Sequence, residues 1–302
     1  MIAFVTSLRH PQNSADYSKV ESLLAETLGS ICAQRNDDYI VIVVGNRPPS
    51  FKLPNRVQFV SADFPAPAPP SGPQTDRDSF LWDKGTKIGL GLLAARSYRP
   101  EYVMIFDADD YVSNRIAGHA QENPGKPGWV IDRGWIYSHA TGVYRPQGDF
   151  NRACGTCHVV NFTAYDVPEH LDLDASQDEI AAAFGDRLRR ILGAHRDART
   201  WLADAGWELE PLPFRGAVYN VDTGENHSGK SLSGFVRPAS YRFQREFGIR
   251  PAGTPLSRLR VAFGPDAIAD ASRRVSLRLG RLTRGRLTRQ GSSTPSSGTD
   301  GL

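Results

Sequence analysis

The chain has 302 residues, of which 40% are hydrophobic and 23% charged, with a formal net charge of +3; this suits a folded protein with a sizeable core and excludes fully disordered, collagen-like and coiled-coil chains. No apolar run approaches the roughly 18–20 residues of a membrane helix, and the opening MIAFVT has no basic segment ahead of it, so no secretion signal is expected. Three sparse cysteines, Cys32, Cys154 and Cys157, do not read as a disulfide framework, and the expected compartment is the cytoplasm.

The first 110 residues alternate strand-like and helix-like segments. Ile2–Thr6 is a short apolar strand. Over Tyr17–Gln34, Tyr17, Val20, Leu23, Leu24, Leu28 and Ile31 recur at helical spacing and give one apolar face. Tyr39–Val44 is a β-branched run suited to a strand covered on both faces, and Arg56–Val60 is a weaker strand. A Pro-rich connection over Phe64–Pro73 leads to a helix over Phe80–Ser97 and a buried strand over Tyr102–Phe106. Such alternation implies right-handed crossovers and a mostly parallel sheet. Beyond residue 111 the pattern changes: strands are expected at Trp129–Ile131, Trp135–Tyr137 and His158–Phe162, a helix or helix pair over Ser176–Ala205, and an extended stretch over Glu208–Val221. From about Arg289 the composition predicts disorder.

In open α/β sheets ligands bind beyond the carboxyl ends of the strands, so the residues at those ends are the first candidates. Thr6-Ser7 ends the first strand, Gly45-Asn46 the second, and Asp107-Ala108-Asp109-Asp110 comes directly after Tyr102–Phe106. Close carboxylates at a strand end repel one another, and a divalent cation relieves the cost. Oxygen-only donors favour Mg²⁺ or Mn²⁺. The plainer alternative is an acidic turn that caps the next element. A calcium loop is excluded, because Val112 and Gly118 stand where it needs Gly and Glu. An aspartyl-nucleophile phosphohydrolase would carry Thr or Val where Tyr111 stands.

Taken together, Phe4–Ser7 (FVTS), Glu26–Gln34 (ETLGSICAQ), Val41–Asn46 (VIVVGN), Asp83–Leu92 (DKGTKIGLGL) and Val103–Ala117 (VMIFDADDYVSNRIA) make residues 1–230 resemble a family 2 glycosyltransferase. The resemblance implies an α/β, GT-A (Rossmann-like) fold: a mixed, mostly parallel central sheet flanked by helices. It implies a nucleotide-sugar donor along the sheet edge, with Asp107 toward the nucleoside, Asp109 and Asp110 on the metal, and Thr6 and Asn46 where such enzymes touch the nucleotide. Asn46 departs from the acidic residue many members carry there. The resemblance also implies a late histidine as a further metal ligand, and His227, in the Gly-flanked loop Gly224–Gly229, is the candidate.

Asp83 reads as a helix N-cap, and Lys84 and Lys87 behind it are candidates to reach the diphosphate. An inverting transferase needs a base for the acceptor hydroxyl. The candidates are the acidic cluster Asp172, Asp174, Asp178 and Glu179, of which Asp178 is chosen, and His195; helix N-terminal charge stabilisation is the plainer account of the cluster. Cys154-Gly-Thr-Cys157 runs into a strand and has no second ligand pair, which argues against redox and zinc roles; small residues lining the acceptor side of the pocket fit better.

The expected organisation is a nucleotide-sugar-binding half at 1–115, an acceptor-side half at 116–250 and a basic extension at 251–302. The expected function is metal-dependent, hexosyltransferase-like, inverting transfer from a nucleotide sugar to a glycan or lipid-linked acceptor. The alternatives are a nucleotidyltransferase, disfavoured by the lack of a Gly-rich basic first loop at Thr6–Pro11, and a non-catalytic nucleotide-sugar-binding module. Residues 272–302 hold seven arginines and one aspartate, which is +6 and leaves −3 for the rest. With Val275, Leu277, Leu279, Leu282 and Leu287 among the arginines, this tail suggests contact with an anionic surface at the inner face of the membrane. Without interleaved aromatics, it does not suggest nucleic acid.

Overall fold

Eight α-helices and twelve strands are assigned among residues 1–68, 78–224, 232 and 235–264, the part of the chain that the computed structural model describes. The first half contains β1 (Ile2–Ser7), α1 (Tyr17–Ile31), β2 (Tyr39–Gly45), β3 (Val57–Ser61), α2 (Asp78–Arg96) and β4 (Tyr102–Ile105). The second half contains β5 (Tyr111–Val112), α3 (Ile116–Glu122), β6 (Gly128–Val130), β7 (Gly134–Ser138), β8 (Val143–Gln147), α4 (Phe150–Ala153) and β9 (His158–Asn161). It continues with α5 (Gln177–Phe184), α6 (Ala198–Asp204), β10 (Glu210–Pro211), β11 (Ala217–Val221), β12 (Arg237–Pro238), α7 (Tyr241–Phe247) and α8 (Pro255–Phe263).

The described strands form two sheets. The central one has the order β10-β6-β9-β4-β1-β2-β3. Its strands are parallel except β9, which runs antiparallel to both β4 and β6. With helices against it, this is the mixed, mostly parallel α/β architecture expected from the sequence. The second sheet has the order β12-β8-β7-β11-β5.

Strand alternation divides the core in two. Phe4, Val41 and Val43 face the α1 side, where Tyr17, Val20, Leu24, Leu28 and Ile31 meet them. Ala3, Val5, Ile42 and Val44 face α2 and α5. The α1 face lies where the helical spacing put it, and Asp16 starts the helix by accepting hydrogen bonds from the Ser18 and Lys19 N–H groups. Helix α2 is buried on nearly all sides after its first turn, as befits a helix between a sheet and other helices. Gly91 permits this: a Cβ there would lie 2.5 Å from Val5 Cγ1.

Two expectations gain detail. The helix or helix pair expected over Ser176–Ala205 is a pair: α5 ends at Gly185, with φ +53°, a π-helical turn spans Leu188–Leu192, and α6 comes after it. The extended stretch Glu208–Val221 contributes two strands to different sheets, β10 to the central one and β11 to the second. Among the described residues no helix is long and apolar enough to cross a membrane. His227 and the basic tail from Ser272 lie outside the described residues.

Candidate active site

Parallel register brings the carboxyl ends of β1, β2 and β4 to one edge. Thr6 lies opposite Val43, and Val5 opposite Ile105; the Phe106 N–H donates to the Val5 carbonyl at 3.0 Å. Asp107, Asp109 and Asp110 leave the sheet at this edge. Their loop is fixed at both ends, because β5 begins at once and pairs antiparallel with β11, Tyr111 opposite Val218.

Each aspartate has a different environment. Asp107 is half-buried and ion-paired with Lys84, Nζ to Oδ1 2.5 Å. Its backbone N–H donates to Thr156 Oγ1 at 3.0 Å. Gly155 lets the carboxylate approach the chain, since a Cβ there would lie 2.6 Å from Asp107 Oδ2. Burial pushes the Asp107 carboxyl up, but the Lys84 ammonium outweighs this and holds it below its ordinary value. Lys84 moves the opposite way: burial lowers it, and Asp107 more than restores it.

Asp109 is pushed up to about 7, first by burial and then by the Asp107 charge, with Lys84 and Arg9 opposing. Unlike Asp107, it has no ion-pair partner among the described residues.

Asp110 corrects the expectation that it joins Asp109 at a metal. It is fully buried, and protein donors engage both its oxygens. Oδ1 accepts the Asn220 N–H at 3.0 Å. Oδ2 accepts the Thr156 hydroxyl at 2.6 Å and the Cys154 thiol at 2.9 Å. Burial, then the neighbouring aspartates, push its carboxyl well up. Asn220 also donates from Nδ2 to the Asp109 carbonyl at 2.9 Å. Asp110 is therefore the brace that locks the loop to β11 and to the segment before β9.

The structure places four further expected site residues as follows. Lys87 is fully buried and reaches inward, with Nζ 2.8 Å from Asp83 and 3.1 Å from the Leu8 carbonyl, so it is not available to a diphosphate. Asp178 is exposed in the first turn of α5, which Ser176 and Glu179 close with a reciprocal capping box; charge at a helix start explains it. Thr6 is fully buried, and its hydroxyl has no hydrogen-bond partner among the described residues. Asn46 is half-buried and ties down the chain after β3, donating to the Ala62 and Phe64 carbonyls at 2.9 and 2.8 Å.

His195 does come to the cluster. It lines a small cavity of about 20 Å³ with Lys84, Gly155 and His158, and its charge bears on Asp107. Ligand pockets run to roughly 300 Å³ or more, so this cavity is too small to hold a substrate. His158, buried beside it, is lowered to about 3 by desolvation and then by the charge of His195. The cysteines are free thiols. Burial pushes Cys154 and Cys157 well above the ordinary thiol value, opposite to a redox pair.

Sequence reading missed Thr156, Asn220 and Arg9. Asn220 had a signal: it is the one polar residue inside the apolar run Ala217–Val221. Thr156 lies inside Cys154–Cys157, whose expected part is to line the acceptor side of the pocket, not to brace the aspartate loop.

Among the described residues no group of three or more His, Cys, Asp or Glu side chains is arranged to hold a metal ion. The donors present nevertheless suit Mg²⁺ or Mn²⁺, which are commonly held by one or two carboxylates with substrate phosphates and water completing the sphere. Asp109, an oxygen donor lacking its own counter-charge, is the residue that fits.

No protein-family model matches the chain, and no curated protein matches it. Similar solved structures include Staphylococcus aureus TarS 1-349 in complex with UDP-GlcNAc, at 12% identity, covering 77% of this chain and 62% of that one, with a TM-score of 0.39. They also include S. aureus TarS 1-349 alone, at 13% identity, covering 72% and 60%, with a TM-score of 0.35. The chain thus spans about three fifths of the length of those structures.

Proposed function

We propose that this protein is a glycosyltransferase of GT-A type that takes its sugar from a nucleotide-sugar donor at the carboxyl edge of the central sheet. The observation that carries the reading is the Asp107–Asp109 pair at the end of β4, held in a braced loop with Lys84 ion-paired to one carboxylate and no ion pair on the other among the described residues. Such a loop is too ordered, and too costly in repelling charge, to be explained as a solvated turn.

In this reading Lys84 and Arg9 supply positive charge for the donor diphosphate, and Asp107 fixes Lys84 in place. Asp109 would hold a divalent cation, Mn²⁺ or Mg²⁺, with His227 a candidate further ligand. When bound, the cation acts as a Lewis acid on the departing nucleoside diphosphate. Thr156, Cys154 and Asn220 keep the loop in one geometry through Asp110, so the electrostatics are preorganised. His195, beside Lys84, is the better candidate for general base, since Asp178 points to solvent. Inversion and a hexosyl donor come from the family resemblance. The acceptor is proposed as a glycan or lipid-linked sugar, and the chain as cytoplasmic, with 1–115 binding the donor and 116–250 the acceptor.

The test is a panel of nucleotide sugars incubated with the protein, with and without Mn²⁺, monitoring release of nucleoside diphosphate. Metal-dependent release from one donor class supports the reading. Metal-dependent binding without release would make the protein a nucleotide-sugar-binding module, and no binding by any donor would reject the site.

A further inference from the structure

Six of the eight large hydrophobic side chains exposed among the described residues lie in one stretch, 235–263: Phe235, Tyr241, Leu256, Leu259, Val261 and Phe263. On α8, Leu256, Leu259 and Phe263 fall at i, i+3 and i+7, a single stripe along the helix. The side α8 turns to the body is a different one. Ala262 is buried, and Arg258 lies along Gly142 and donates to the carbonyls of Pro251, Ala252 and Gly253. The helix has its own start signals, Thr254 as N-cap and Pro255 in the first turn, so its outward stripe is a built feature.

The charge around this stripe is one-sided. Residues 235–264 contain six arginines and one acidic residue, Glu246, and Glu246 is engaged by the Ser113 hydroxyl at 2.9 Å. Arg237, Arg242, Arg245, Arg250 and Arg260 are exposed. A second copy of this chain docking on the same face would bring these arginines against their own equivalents across a two-fold axis. Residues 265–302 as the cover would add seven more arginines against three aspartates, a net +4, to the same face. Both occupants are opposed by charge, and an anionic one is favoured.

We infer that the α8 stripe is a docking surface for an anionic lipid bilayer. Arginines around the helix draw the face to the headgroups, and Leu256, Leu259 and Phe263 enter the boundary with the acyl chains, as interfacial amphipathic helices do. The basic tail then strengthens the same attraction. The inference stands apart from the sugar-transfer reading, since it uses none of the residues of the candidate active site.

The test is sedimentation of the full chain with vesicles of phosphatidylglycerol and phosphatidylcholine in equal parts, against phosphatidylcholine alone. Binding to the anionic vesicles only, weakening as salt rises, is expected. The triple change Leu256→Ser, Leu259→Ser, Phe263→Ser should lower partitioning about tenfold or more with melting temperature unchanged. Should that variant fold poorly, Arg250→Glu with Arg260→Glu, both at exposed positions, should lower binding to the anionic vesicles about tenfold or more. Wild-type binding by the triple variant, equal binding to neutral vesicles, or self-association without vesicle binding would each overturn the inference.

Discussion

Two lysines of helix α2, one turn apart, each pair with an aspartate, Lys87 with Asp83 of the same helix and Lys84 with Asp107 after β4, and the two pairs behave in opposite ways. Lys87–Asp83 is sealed in the core, with side chains 0% and 9% exposed. Burial there pushes both partners toward neutrality, Lys87 down and Asp83 up, against their mutual attraction. Lys84–Asp107 sits at the sheet edge, about 30% exposed on each side, and there attraction outweighs burial, so both partners are more firmly charged. The lesson is that a lysine–aspartate pair can be a structural tie at one turn of a helix and an electrostatic element of a site at the next. Depth relative to the sheet edge decides which.

The largest expected effect tests the sealed pair. Lys87→Ala leaves Asp83 buried without its counter-charge and should cost about 3–5 kcal/mol of stability, read from the denaturant midpoint. The double change Asp83→Leu, Lys87→Met should recover most of that loss. A loss below about 1 kcal/mol in the single variant would place this pair with weak surface ion pairs and break the contrast.

Asp109→Asn comes next, with the opposite balance. Turnover should fall about 10²–10³-fold, the scale of removing one preorganised electrostatic group, while the fold is retained. Its stability depends on pH with a definite sign. The Asp109 carboxyl is pushed up to about 7, whereas an unfolded aspartate titrates near pH ~3.9. Between those values the folded state holds a proton that the unfolded chain has lost, so the wild type loses stability as pH rises through this window. The melting temperature of Asp109→Asn should match wild type near pH 4 and exceed it increasingly toward pH 8. Equal melting curves at both pH values would remove the claim that Asp109 lacks compensation.

Lys84→Ala should be milder in stability, within about 1 kcal/mol for a partly exposed pair, and should weaken donor binding about tenfold, with KM rising more than kcat falls. The smallest effect is expected at Asp178→Asn, an exposed helix-start position: stability within about 0.5 kcal/mol and activity within about twofold. A larger loss of activity would reinstate Asp178 as the base.

The architecture was legible in the sequence where burial is two-sided. The β-branched run Tyr39–Val44 and the apolar spacing of α1 are dictated by core contact alone, and both elements formed where they were read. The position of the aspartate loop was legible for the same reason, since a buried strand delivers the next residues to the sheet edge. The division of labour within the loop was not. Asp109 and Asp110 are adjacent and chemically identical, and only the arrival of Thr156, Cys154 and Asn220 from distant segments turns Asp110 into a brace. Lys84 and Lys87, one turn apart on α2, differ likewise only in their depth relative to the sheet edge. Short elements such as β5, β12, α7 and α8 escaped because their stability comes from partners remote in sequence.

We propose above all that Asp109, which no ion pair holds among the described residues, is the carboxylate that a cation-bound nucleotide donor completes. Calorimetric titration of wild type and Asp109→Asn with nucleoside diphosphates, in the presence and absence of Mn²⁺, tests it most directly. The prediction is that wild type binds one nucleoside diphosphate more tightly with Mn²⁺ than without, and that Asp109→Asn loses the Mn²⁺ dependence while keeping a folded-state melting transition. Binding that is equally tight in the variant, or indifferent to Mn²⁺ in the wild type, would contradict it.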